Sequence, residues 1–142
     1  MPEAGDAAAD ALKMLRKARM DLIVARVRIR GVLPELHCFH AQQAAEKALK
    51  AAAIARGVPY RFVHDLPLLV EDLQHGGVKV PESFTDTDLL SRVSAYASGA
   101  RYEITDPGPS EADLKEAVAL AVAVMKWAKA EIAQAKKENA GK

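Results

Sequence analysis

The run Phe39-His40-Ala41-Gln42-Gln43-Ala44-Ala45-Glu46-Lys47-Ala48-Leu49-Lys50 sets amides, a carboxylate and ammonium groups at helical spacing. At about 100° per residue, Ala41, Ala44, Ala45, Ala48, Leu49 and Ala52 gather on one side of a helix. Phe39, Gln42, Gln43, Glu46 and Lys50 gather on the other. The first side is small and apolar, so another helix can approach closely. The second is a row of hydrogen-bonding and charged groups beside an aromatic ring. Such a row is either solvated surface or one wall of a polar site. Glu46 and Lys50 are four residues apart with the acid first, the better order for a helical ion pair, worth about 0.2–0.5 kcal/mol when exposed. As part of a cluster, the same pair would hold a ligand.

Other groups able to join that cluster lie at three places. His64 and Asp65 open a short apolar segment. They can cap its helix, or His64 can face the Glu46 row and contact a nucleotide or a partner. Arg101 can neutralise helix-end carbonyls, or fork onto a carboxylate such as Glu46 or onto a phosphate. Tyr102 suits the core better than a stacked base. His37, Cys38 and His40 invite a zinc reading, and His37 and His40 could share a face, but Cys38 points about 100° away from His37, so three ligands from so short a helical run cannot all converge. Cys38 is also the single cysteine of the chain, so no metal site and no internal disulfide follow. No glycine-rich phosphate loop occurs, so a nucleotide would be held by side chains and helix ends.

These groups need helices to position them. The chain has 142 residues, enough for one domain with a real core. Half the residues are hydrophobic, many of them alanine, and only 5% are aromatic, which favours closely packed helices over a β-sandwich. A net charge of +1 implies no bulk attraction to nucleic acid or membrane. Arg16, Lys17, Arg19, Arg26, Arg28 and Arg30 make the first helix locally basic, either as a solvated face or as a contact for RNA phosphate or an acidic partner. The first residues lack the pattern of a signal peptide, and no apolar run reaches about 18 residues. The expectation is a soluble cytoplasmic protein with no membrane contact and no cofactor.

The pattern predicts a first helix from Asp6 or Asp10 to Arg30, with Leu12, Leu15, Met20, Ile23, Val24 and Val27 facing inward. Gly31 ends it, and Pro34 opens a second helix that Gly57 and Pro59 stop at Arg56. A short third helix follows from His64 to His75. A fourth runs from Thr87 to Ala100, capped by Thr85 or Asp86, with Leu89, Leu90, Val93, Tyr96 and Ala97 inward. Ser110 caps a fifth that ends near Ala135, with Leu114, Val118, Ala121, Val122, Met125, Ala128 and Ile132 inward. Residues 6–135 form the single domain, and 1–5 and 136–142 are expected to be flexible ends.

The order of a long first helix, then Gln42 to Lys50, then His64-Asp65-Leu66, then Ala100-Arg101-Tyr102, then a long last helix resembles the HEPN domain (higher eukaryotes and prokaryotes nucleotide-binding) over about Asp10 to Ile132. The resemblance implies an all-α, up-and-down antiparallel bundle of four to five helices that pairs as a homodimer. It also implies a minimal nucleotidyltransferase partner, as in toxin–antitoxin modules. Some members of that superfamily are metal-independent ribonucleases carrying an Arg and, after four to six intervening residues, a His. Here Arg101 stands in the Arg position, yet no histidine follows His75. The usual acid–base group for RNA cleavage is thus missing. Arg30 and His37 match the spacing but straddle the Gly31–Pro34 turn. The reading is a binding and regulatory protein with no catalytic residue assigned. Gln43, Glu46, Lys50, His64, Asp65, Arg101 and Tyr102 are its nucleotide- or partner-binding candidates. The alternative is a ribonuclease toxin with a degenerate Arg…His motif.

Overall fold

The computed structural model describes the backbone of residues 4–101 and 108–141, with side chains for 6–98 and 108–141. Among them are five helices: α1 (Ala4–Arg26), α2 (Pro34–Arg56), α3 (Leu66–His75), α4 (Thr87–Ser94) and α5 (Glu111–Ala140). Short 3-10 turns occupy Glu82–Phe84 and Ala95–Arg101, and no strand occurs among the described residues.

Ion pairs report how the long helices run. Arg28, just past α1, pairs with Glu111 at the start of α5. Arg56, at the end of α2, pairs with Glu131 and Glu138 near the end of α5. Hence α2 and α5 run the same way, and α1 runs against both. The short α3 and α4 together make the return leg of an up-and-down bundle.

Local chemistry sets the helix ends. Pro34 sits at the start of α2, where its missing N–H costs nothing. Gly57, with φ 67°, closes α2: its N–H meets the Ile54 carbonyl at 3.2 Å, and Val58 N–H meets Ala53 at 2.9 Å. Asp65 caps α3 through Leu68 N–H, and Asp86 caps α4 through the Asp88 and Leu89 N–H groups. Ser110 and Asp113 form a reciprocal capping box on α5.

α2 lies at the centre, packed on both α1 and α5. Thirteen of its 23 residues are buried, so it has no continuous wet face. Ala41, Ala44, Ala45, Ala48, Ala51 and Ala52 are fully covered, which lets both neighbours close in on a thin helix. Leu49, Leu66, Leu69, Leu73, Val93 and Val124 supply most of the bulk. Phe84 meets Trp127 edge-on at 5.6 Å and ties the 3-10 turn to α5.

Several expected boundaries and faces are corrected. α1 ends at Arg26 rather than Arg30. The Val24 carbonyl near its end accepts from His37 Nδ1 at 2.8 Å, and Val32 N–H folds back onto Ile29 at 3.1 Å through Gly31 at φ 85°. The inward face of α1 is Ala11, Leu15, Ala18 and Ala25, whereas Leu12, Met20, Ile23 and Val27 are exposed. On α5, Ala117, Leu120 and Val124 are buried beside the expected Leu114, Ala121, Ala128 and Ile132, while Val122 points outward. α4 gives way to a 3-10 turn after Ser94, and Ser98 leaves helical space at φ −102°, ψ 54°. The third helix starts at Leu66, after its Asp65 cap. α5 continues past Ala135 to Ala140, held by Arg56.

Candidate functional site

The polar row of α2 is interior. Gln42 is 0% exposed and Glu46 is 3% exposed. A buried carboxylate needs partners, because removing a charge from water costs several kcal/mol. Glu46 has three. Gln42, one turn earlier, donates Nε2 to its Oε1 at 3.0 Å. His64 approaches the same oxygen with Nδ1 at 2.8 Å. Lys50, one turn later, donates Nζ to Oε2 at 3.0 Å. The second N–H of Gln42 reaches the His64 carbonyl at 2.9 Å, and its Oε1 accepts from Gln43 Nε2 at 2.6 Å.

The loop carrying His64 is pinned from other elements. Arg61 donates its backbone N–H and Nε to Asp72 at 2.9 and 3.0 Å, and Nη2 to the Leu68 carbonyl at 3.0 Å. Leu66 N–H donates to the Ser94 hydroxyl at 2.8 Å, linking the start of α3 to the end of α4. Lys50 Nζ lies 5.8 Å from the centre of the Tyr60 ring. His64 therefore has a fixed backbone and one fixed ring nitrogen, while its side chain stays 70% exposed. One edge of the imidazole is anchored on a buried acid, and the rest faces solvent.

Electrostatics follow from this packing. Burial pushes the Glu46 carboxyl upward. The hydrogen bonds from Gln42, His64 and Lys50, with the Lys50 charge, outweigh that and hold it below the ordinary carboxylate value. Ionised, Glu46 can only accept, so His64 must carry its proton on Nδ1. That leaves Nε2 as the solvent-facing nitrogen.

Of the expected site residues, Gln43, Glu46, Lys50 and His64 come together in one network. Asp65 does not join it, because its carboxylate accepts from Leu68 N–H at 3.1 Å as the α3 cap. The Arg101 side chain and all of Tyr102 lie outside the described residues. Gln42 is the group that sequence reasoning left off its list. Its signal was the Gln-x3-Glu-x3-Lys ladder, which puts a donor one turn either side of Glu46. Tyr60 and Ser94 carried no such spacing.

The three neighbours on early α2 go to separate partners. His37 is tied to α1 through Val24. His40 Nδ1 meets Asp21 Oδ1 at 2.8 Å, and Lys47 Nζ meets the other oxygen of Asp21 at 2.5 Å, which crosslinks α1 and α2. Cys38 is fully buried, and burial, then the charges of Asp113 and Glu111, push its thiol up to about 12. It is an inert core residue rather than a thiolate. Among the described residues, no three His, Cys, Asp or Glu converge as metal ligands, and no helix is long and apolar enough to cross a membrane.

An all-α bundle whose central helix carries a buried, fully paired polar row is the class that fold and site define. A family model described as the HEPN domain matches residues 11–132, and the chain belongs to that family. The crystal structure of an archaeal HEPN homologue aligns with a TM-score of 0.56 at 24% identity, covering 93% of this chain and 99% of that one. At this identity the likeness speaks for the fold alone. A search of curated proteins finds no match.

Glu46→Gln tests the network. The amide turns an NH2 toward groups that donate, at an expected cost of about 1–3 kcal/mol at pH 7. The sign with pH follows from the lowered carboxyl. Its stabilisation is complete above the unfolded value of 4.5 and is lost as pH falls through the folded value. Urea unfolding from about pH 7 to 2 should show the gap between wild type and variant closing with acid. A gap that stays constant or widens would contradict the assignment.

Proposed function

We propose that this chain is a nucleotide-binding regulatory module that acts with a minimal nucleotidyltransferase in a toxin–antitoxin-type pair, with the Glu46 network as its nucleotide site. The observation that carries this reading is the combination of a 3% exposed Glu46 with a 70% exposed His64 side chain bonded to it. A purely structural network would gain by covering both partners. This one holds an imidazole in fixed orientation at the surface, beside Lys50 and Gln43, where a polar ligand can reach it.

The same pair favours a second reading, a ribonuclease. A carboxylate that fixes the tautomer of a histidine can make it an acid–base group. His64 would then stand in for the histidine missing after Arg101. Binding is preferred because no histidine follows His75, which leaves the Arg…His pair of the ribonuclease members incomplete at Arg101. Titration with AMP, ATP and GTP by calorimetry separates the two readings. The binding reading predicts saturable heat, lost at least tenfold in affinity in Lys50→Ala and His64→Ala, with no RNA cleavage by any form. RNA cleavage that disappears in His64→Ala would support the enzyme. No heat and no cleavage would leave a structural network.

Two exposed regions support assembly. Met20 and Ile23 share an outward face of α1, and Val27, Ile29, Leu33 and Leu36 are exposed just beyond it. A second copy is the simplest cover for such a patch. A groove of about 580 Å³ between α1 and α5 has Leu12, Val122 and Met125 in its lining, with Arg16, Arg19, Lys126 and Lys129 and no carboxylate among the described residues. A second copy centred there would set cation against cation, so an acidic partner suits it better. Size-exclusion chromatography with light scattering should give twice the 15.3 kDa chain mass for the protein alone and a larger complex on co-expression with the nucleotidyltransferase. A monomer at micromolar concentration removes the homodimer, and separate elution removes the partner.

A further inference from the structure

The loop between α2 and α3 does more than carry His64. It holds Phe62 with 93% of its surface exposed. A phenylalanine there forgoes the stabilisation that burial would supply. One exposed apolar residue is ordinary on a surface. The way this one is held is not.

Val63 N–H donates to the Arg61 carbonyl at 2.9 Å, a three-residue turn with Phe62 at its apex. Arg61, the first residue of that turn, is fastened to Asp72 and to the Leu68 carbonyl by backbone and guanidinium together. The apex is therefore rigid, and the ring is displayed on a fixed support. Tyr60 meets Phe62 edge-on, with centroids 6.0 Å apart and planes at 66°. Tyr60 is also the ring beside Lys50 Nζ, and Lys50 bonds Glu46. A chain of contacts thus runs from the buried acid through Lys50 and Tyr60 to the exposed Phe62. On the other side of Phe62, two residues along, stands His64, bonded to the same acid.

We infer that Phe62 is a base-stacking residue: the planar heteroaromatic base of a free nucleotide lies on its open face, beside the Glu46, Lys50 and His64 network. The chemistry fits the surroundings. A protein anchor is normally ringed by apolar groups that keep water out. Phe62 instead stands 93% exposed at the apex between Arg61 and Val63, linked through Tyr60 to the Lys50 ammonium group and followed two residues on by His64. A base needs an unobstructed ring face for stacking and polar groups at the side for its sugar and phosphate. Stacking of this kind accepts any base, since each has a π-face.

This inference rests on the nucleotide-binding reading, and its test keeps the two apart. AMP, CMP and, as a probe without a base, ribose 5-phosphate are titrated into the full-length protein by calorimetry. Wild type is compared with Phe62→Ala, Phe62→Leu and Phe62→Trp. The thermal midpoint of each variant should match wild type, since Phe62 contributes nothing to the core. Phe62→Ala and Phe62→Leu should weaken both nucleotides about five- to hundredfold, and Phe62→Trp should retain them. Ribose 5-phosphate should bind all four forms alike. Equal nucleotide affinity in wild type and Phe62→Ala overturns the inference while leaving the binding reading intact. The same loss in Leu and Trp variants, or a parallel loss for ribose 5-phosphate, also overturns it, because then the ring is not acting by stacking. Absence of nucleotide binding in wild type removes both.

Discussion

The structure depends on keeping one carboxylate ionised inside an alanine-rich helix. Glu46 is nearly inaccessible and sits on the most buried helix of the bundle. Left unpaired, its charge would cost several kcal/mol, comparable with the whole stability of a small domain. Its three donors are therefore obligatory. Gln42 and Lys50 come from the same helix at the spacing that helical geometry provides. His64 comes from a loop, so the loop must be held too. Arg61 on Asp72, Asp65 at the α3 N-terminus and Ser94 under Leu66 N–H all serve to hold it. One buried charge thereby fixes how α2, α3 and α4 meet.

That requirement also shapes the surface. Satisfying Glu46 from outside leaves His64 and Lys50 at the rim with defined orientations. Arg61, which steadies His64, also steadies the apex that displays Phe62. Polar rim and aromatic apex are consequences of a single loop conformation. The HEPN fold provides the frame, since long α1, α2 and α5 pack through small residues and leave the short α3 and α4 to carry irregular connections. The alanines of α2 matter here as much as the polar groups, because only a thin helix can sit between two others and still keep a carboxylate near an edge.

Much of the frame was legible in the chain. Pro34, Gly57 and Ser110 carry start and stop chemistry that does not depend on distant residues, and α2 and the start of α5 fall where those signals put them. The faces were less legible. Leu12, Met20, Ile23 and Val122 outrank alanine in hydropathy, so the sequence pattern faces them inward. In a bundle this close, Ala11, Ala18, Ala25 and Ala117 take the inner positions and the larger groups are left outside. The end of α1 depended on His37 reaching Val24, a contact across two helices. For the site, Glu46 and Lys50 could be read from spacing, and Gln42 by the same rule. His64 bonding Glu46 across 18 residues of chain could be named as an option but not fixed, since it depends on how the loop returns. Asp65 illustrates the competing force: a helix N-terminus claimed it locally.

The direct test of this account is the tautomer of His64. An ionised Glu46 accepts only, so at neutral pH the His64 ring must carry a proton on Nδ1. Long-range proton–nitrogen NMR of the imidazole in 15N-labelled protein reads this without reference to any activity. The expected result is a protonated Nδ1 for His64, with resonances that shift in Glu46→Gln. A neutral ring protonated on Nε2 alone, or nitrogen shifts unchanged by that substitution, would show that Glu46 does not hold His64.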